Sequence, residues 1–370
     1  MKKIIMFGSW IVAVLMLTMP MFPALEQIST NELENSSRKI VQNYAESNET
    51  EYYALIAGCC EYKEKMHNIP LFHPFPSSTM KYVYNELINA TNWKKENIIL
   101  LLNEKATKEN ITNSLNELST IIDKNDVFLF SWMGHGTIVP DQNGDENGFF
   151  DEAICPYDTS ADGMGNVITD DELNKCFSSI DAEGQIILFE SCMSGGMADE
   201  KNQKTLTFSD VNNKNRIVVM LTLPNRLGYA FYDIAWPISF LYSMALSNIN
   251  CDINHDGWIS AEEAFNHVDE NYYNLEKNMF LTMINKTTPR TIIINFLISV
   301  LLLNKINVKP ILNVALSGIW SVFTYKICQN ENYKQLRLRL IYVKLRLMLA
   351  ENNPNMVDNY SGELNLIKLL

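Results

Sequence analysis

The stretch Gln185–Met197, QIILFESCMSGGM, sets the tightest limit on what this chain can become. Ile186 to Phe189 is a continuous apolar run, the pattern of a strand buried on both faces of a parallel sheet. It leads directly into Cys192, Ser194, Gly195 and Gly196, so a rigid strand ends in a small-residue turn that carries a thiol. Glycines there let the backbone turn sharply and let a substrate reach main-chain N–H groups. Taken alone, a strand-end cysteine also fits inert packing, because cysteine is among the most buried residue types.

A second stretch has the same design. Asp126–Gly136, DVFLFSWMGHG, is an apolar run that ends in a glycine-flanked His135. In parallel α/β sheets ligands bind outside the carboxyl ends of the strands, so two neighbouring strands ending in His135 and Cys192 would share one rim. An imidazole beside a thiol is the minimum for acyl-transfer chemistry: the sulfur attacks a carbonyl and the imidazole moves the proton.

Three further strands are predicted at Tyr52–Gly58, Ile98–Leu102 and Arg216–Leu223. Helical patterns fall between them at Ser78–Ala90 and at Thr107–Ile122, the latter opened by a Thr cap. Strands alternating with helices specify an α/β fold with a parallel sheet.

The residues FLFSWMGHG and ILFESCMSGG resemble the His-Gly and Asp/Glu-x-Cys-x-Ser-Gly motifs of the caspase, metacaspase and legumain superfamily of cysteine peptidases. Phe149–Asp158, FFDEAICPYD, resembles a segment of metacaspase-like members, and Pro354–Leu366 resembles the last-strand segment of prokaryotic relatives. The resemblance implies a caspase-like three-layer sandwich with a mostly parallel six-stranded sheet and helices on both faces. It implies a cysteine endopeptidase acting on protein substrates, with Cys192 as nucleophile, His135 as general acid and base, and the N–H groups of Gly136 and Cys192 as oxyanion donors. It implies no organic cofactor. Glu190 matches the acid that lines the specificity pocket of metacaspases and pairs with Arg or Lys; legumain-like enzymes share Glu-x-Cys and cut after Asn, so both preferences stay open. Two other classes also stay open: a transpeptidase, and a catalytically silent calcium-binding module. The family's usual Asn-Asp-Ala helix start is replaced here by His67–Ser78, HNIPLFHPFPSS.

Calcium is the second chemical theme. Asp252–Glu263, DINHDGWISAEE, fits the EF-hand loop: Asp252, Asn254 and Asp256 as oxygen ligands, Gly257 at the turn, Trp258 through its carbonyl, and Glu263 as the bidentate closer. The alternative for this stretch is an ordinary Asp/Asn/Gly turn before a helix. By resemblance to calcium-requiring metacaspases, a second site falls on Asp151, Asp170, Asp171 and Asp199. Helix capping is the alternative for Asp170 and Asp171, and solvated loop acids for the others.

Composition narrows the partners. A net charge of −13 argues against nucleic acid, whose phosphates need an excess of Lys and Arg on one face. Seven cysteines in 370 residues, without metal-type CxxC pairs, do not form a disulfide framework. Met1-Lys2-Lys3 followed by the apolar run Ile4–Met19 predicts a signal peptide or membrane anchor over residues 1–24, and an extracytoplasmic, secreted or anchored location. Residues 25–50 are polar and read as a linker or pro-segment, and residues 51–370 as the peptidase domain. Within that domain, residues 280–352 form an insertion. Its apolar stretches Thr291–Leu303 and Ile311–Tyr325 are 13 and 15 residues long, short of the ~20 needed to span a bilayer. They precede the basic helical pattern Tyr333–Leu349, which suits contact with an anionic membrane surface through residues 285–350 or a packed helical subdomain.

Overall fold

The apolar runs become strands in the computed structural model, which describes residues 49–69, 77–142, 144, 150–198, 211–230, 235–285, 316–319, 339 and 350–369. In chain order the elements are β1 (Tyr52–Gly58), α1 (Tyr82–Asn89), β2 (Ile98–Leu102), α2 (Lys108–Leu118), β3 (Val127–Met133), β4 (Gly136–Pro140), β5 (Phe150–Ile154), β6 (Ile168–Thr169), α3 (Asp170–Ser178) and β7 (Gly184–Glu190). They continue with β8 (Arg216–Met220), α4 (Pro237–Leu246), β9 (Trp258–Ser260), α5 (Ala261–Asn285), β10 (Asn355–Asp358) and β11 (Asn365–Lys368).

Six strands form the main sheet in the order β10-β8-β7-β3-β1-β2. Neighbours from β2 through β8 run parallel, and β10 closes the far edge antiparallel to β8. Every residue of β1, β3, β7 and β8 is buried, as strands covered on both faces must be. The helices pair accordingly, α4 with α1 and α5, and α2 with α3. This is the α/β architecture the sequence predicts.

Local chemistry explains the helix starts. Thr107 accepts the N–H of Asn110 at 3.1 Å and so caps α2, whose Ile111, Leu115 and Leu118 recur on one buried face. Thr169 and Glu172 form a reciprocal capping box at α3. The core between sheet and α3 is aromatic: Phe130 packs edge-on against Phe177 at 5.1 Å and Phe189 at 6.0 Å. Each such fully buried ring contributes about 1.5–3 kcal/mol.

Two smaller sheets, β4-β5-β6 and β9-β11, were not anticipated. The first pairs Gly136–Pro140 with Phe150–Ile154 and Phe150–Ile154 with Ile168–Thr169, all antiparallel. The second ties the calcium-type loop to the end of the chain, through pairs such as Lys368 with Trp258. Residues 1–48, Asp199 and nearly all of residues 286–349 lie outside the described residues, and with them the signal segment, most of the linker and most of the predicted insertion. Among the described residues no helix is long and apolar enough to cross a membrane.

Candidate active site

Register brings the two predicted residues to one place. Met133 of β3 pairs with Glu190 of β7 as the last rung between these adjacent parallel strands. His135 and Cys192 each stand two residues past that rung. The approach is close: a Cβ built on Gly136 would lie 2.2 Å from the carbonyl oxygen of Cys192, so only glycine fits there.

The backbone around His135 is held at three points. Its N–H donates to the Tyr62 hydroxyl at 2.8 Å, and its carbonyl accepts from Cys155 N–H at 3.0 Å and from the Trp132 indole at 3.3 Å. The ring meets Tyr62 at 5.2 Å, and Nε2 lies 2.8 Å from the His67 carbonyl oxygen. Part of its surface stays exposed, yet burial pulls its pKa down to about 4. The imidazole is therefore neutral at ordinary pH.

Cys192 is a free thiol, partly exposed. Its sulfur accepts the Gly228 N–H at 3.3 Å. Burial pushes its pKa up, while backbone N–H groups of Gly228, Cys192 itself and Gly136 pull the other way. The next residue, Met193, has φ +61° and donates its N–H to Arg226 O at 2.7 Å. A left-handed conformation costs a residue with a side chain about 1–2 kcal/mol, and here it turns the chain away right behind the sulfur. Ser194 anchors that turn, its hydroxyl accepting from the N–H of Leu221 and Thr222 at the end of β8.

Glu190, the specificity acid the resemblance implies, is held by a helix. It is 1% exposed, and its two carboxylate oxygens accept the N–H groups of Ile238 (2.7 Å) and Ser239 (3.0 Å) in the first turn of α4. Burial raises its pKa to about 7, partly offset by those bonds. The carboxylate is engaged by a helix N-terminus.

The calcium candidates divide by location. In the loop, Asp252 accepts the N–H groups of Asp256 and Gly257, and Gly257 adopts φ +86°. Asn254 accepts from Asp256 N–H, Asp256 from Trp258 N–H, and Glu263 from Ile253 and Ser260 N–H. The donors are the hard oxygens a calcium ion takes, and the carboxylates are satisfied by backbone in this geometry. Of the second set, Asp151 on β5 and Asp170 at the start of α3 are buried, and Asp170 accepts the N–H of Asp171 at 3.0 Å. Asp199 is outside the described residues. Among the described residues no three His, Cys, Asp or Glu side chains are grouped as a metal site.

Sequence reasoning missed Tyr62, the His67 carbonyl and the Arg226–Gly228 loop. Cys59 and Cys60 are buried packing residues, with Cys60 Sγ 3.6 Å from Met80 Sδ.

Residues 42–201 match the family model described as metacaspase, peptidase C14 domain. This segment is metacaspase-like. The metacaspase-like match takes in β1 through β7, with His135 and Cys192 both inside it. Metacaspase-4 of Arabidopsis thaliana is 30% identical over 132 residues, 34% of this chain and 30% of that protein. Metacaspase-7 of the same plant is 32% identical over 125 residues, covering 32% of this chain and 30% of its own length. Metacaspase-1 of Schizosaccharomyces pombe is 31% identical over 121 residues, covering 30% and 28%. The chain thus spans under a third of the length of these relatives. Among solved structures, a protein of Geobacter sulfurreducens aligns over 60% of this chain and 89% of its own, with a TM-score of 0.44 and 16% identity. Caspase-1 of Spodoptera frugiperda aligns over 60% and 76%, with a TM-score of 0.40 and 8% identity.

Proposed function

We propose that the chain is a cysteine endopeptidase. The observation that carries this reading is the contact of Gly136 with Cys192, which brings a histidine-bearing turn onto a cysteine-bearing turn at the rim of a parallel sheet. The Cys192 sulfur attacks the scissile carbonyl as its proton passes to Nδ1 of His135, the nitrogen left free by the Nε2 contact with His67. The oxyanion takes the N–H groups of Gly136 and Cys192, which already lie close enough to the sulfur to lower its pKa. Collapse expels the amine, which takes the proton from His135, and water then hydrolyses the thioester with His135 as base.

Cleavage after Arg or Lys is the preference we assign from Glu190, the acid two residues before the nucleophile. A cationic side chain nearby would favour the ionised form of a carboxylate whose pKa stands at about 7. A second reading, cleavage after Asn, draws on the same residue, because its oxygens are already bound by α4. Calcium dependence rests on the oxygen donors of the 252–263 loop, namely Asp252, Asn254, Asp256, the Trp258 carbonyl and Glu263, which would stabilise the β9-β11 region when bound to the ion.

The test is a fluorogenic panel ending in Arg, Lys, Asn or Asp, with calcium or a chelator, for the native chain and Cys192→Ala. Turnover after Arg or Lys that drops by roughly 10⁴-fold or more in the variant supports the proposal. Turnover confined to Asn peptides replaces the preference, and no turnover under reducing, calcium-replete conditions removes the activity.

A further inference from the structure

A cavity of about 540 Å³ opens at the opposite end of the sheet from Cys192. Its walls include Tyr52 at the start of β1, Val127 at the start of β3 and Glu183 just before β7, so it lies at the amino ends of the strands. The His135–Cys192 site does not use it, and it shares Trp258 with the 252–263 loop.

Its lining has a consistent chemistry. The Tyr52 and Trp258 rings stack at 6.4 Å and 23°, and Tyr360 adds a third ring, its hydroxyl 3.4 Å from Glu183 Oε1. Glu183 and Glu363 contribute two carboxylates. The chain's own Lys368 holds its ammonium 5.8 Å from the Trp258 ring centroid. Aromatic faces and carboxylates both attract positive charge, and Lys368 shows that this wall already receives a cation. Glu183 and Glu363 are both exposed to solvent at the cavity mouth, where an anion would meet like charge.

We propose that this cavity binds an organic cation, an ammonium or guanidinium on a carbon stem, which takes the Trp258 face from Lys368 and pairs with Glu183 and Glu363. The source is either a Lys or Arg side chain of a peptide or a free amine. Glu363 also accepts from Asn254 Nδ2 at 2.5 Å, so a bound cation would compete with the 252–263 loop for this carboxylate.

The experiment uses the full chain carrying Cys192→Ala, which removes turnover, and follows the Trp258 indole N–H resonance, assigned from Trp258→Phe. Nα-acetyl-arginine amide and Nα-acetyl-lysine amide represent the peptide source, and agmatine and cadaverine the free amine. Saturable shifts of the Trp258 signal are expected. Affinity should fall about tenfold in Glu183→Gln/Glu363→Gln and rise in Lys368→Ala, whose side chain is exposed and whose removal leaves the core untouched. Stronger shifts with the capped amino acids assign a peptide ligand, and stronger shifts with the diamines a free one. No shift of Trp258, or an equal response in the double glutamine variant, overturns the proposal. So does loss of the response after a bulky alkylating group is placed on Cys192 of the native chain, since the ligand would then sit at the catalytic rim.

Discussion

Nε2 of His135 lies 2.8 Å from the carbonyl oxygen of His67. A carbonyl can only accept, so the neutral ring keeps its proton on Nε2 and presents a lone pair at Nδ1. Nitrogen-15 spectra of the native chain near pH 7 should show a protonated Nε2 and a bare Nδ1 on His135, with titration only near pH 4, where burial places its pKa. The opposite tautomer would take away its role as base.

The thiol side of the pair gives a second prediction. Burial raises the Cys192 pKa and lowers that of His135, so the pair is expected to rest as thiol and neutral imidazole near pH 7. The rate of alkylation of Cys192 by iodoacetamide should climb about tenfold per pH unit through the neutral range. A plateau between about pH 6 and 8 would mean that the thiolate is already formed.

Glu190 makes stability depend on pH. Its folded pKa of about 7 lies above the ordinary 4.5, so the folded state holds a proton that the unfolded state has released. Stability from this group is full below pH 4.5 and is lost as pH rises toward 7, by on the order of 3 kcal/mol. His135 acts in the reverse sense, adding stability as pH rises from about 4 to 6.5. Urea unfolding of Glu190→Gln at several pH values should therefore show stability rising between pH 5 and 6.5, the His135 contribution alone, where in the native chain the two contributions largely offset each other. Equal slopes would place the titrating group elsewhere.

Gly136→Ala tests the contact between the two turns. The added methyl meets the Cys192 carbonyl at 2.2 Å, a backbone atom that cannot rotate away. Overpacking of this kind costs about 1–3 kcal/mol, and a shift of the nucleophile by an ångström lowers kcat/KM by about 10²-fold. Peptidase activity should fall further than the melting temperature does, and retained activity would show that the turns relax.

The legible parts of the molecule are those where one physical signal dominates. Tyr52–Gly58 and Ile98–Leu102 match the predicted strand limits because each is an apolar run ending at a polar or turn residue. His135 and Cys192 were visible as candidates because each ends such a run between glycines or small residues. The β4-β5-β6 sheet escaped notice because Gly136–Pro140 and Phe150–Ile154 are short and carry Gly, Pro, Asp and Glu, so neither has a clear period. The group that orients His135 is a backbone carbonyl, which any residue at position 67 supplies, so residue identity holds no trace of it. Glu190 shows the remaining gap: its spacing from Cys192 is plain in the sequence, but the helix that binds its carboxylate begins 47 residues after it, at Pro237.

β8 has β7 on one side and β10 on the other, and β10 is made of residues Asn355–Asp358. During synthesis the ribosome releases β1, β3, β7 and β8 well before it releases β10. For that interval Ile217–Val219 form an open edge with unmet backbone hydrogen bonds, the kind of surface that recruits other strands. Translation therefore acts as a timer on maturation: the sheet whose rim carries Cys192 is sealed only once Asn355–Asp358 have been made, more than 160 residues after the nucleophile, and a product that stops before Asn355 lacks the strand that seals it.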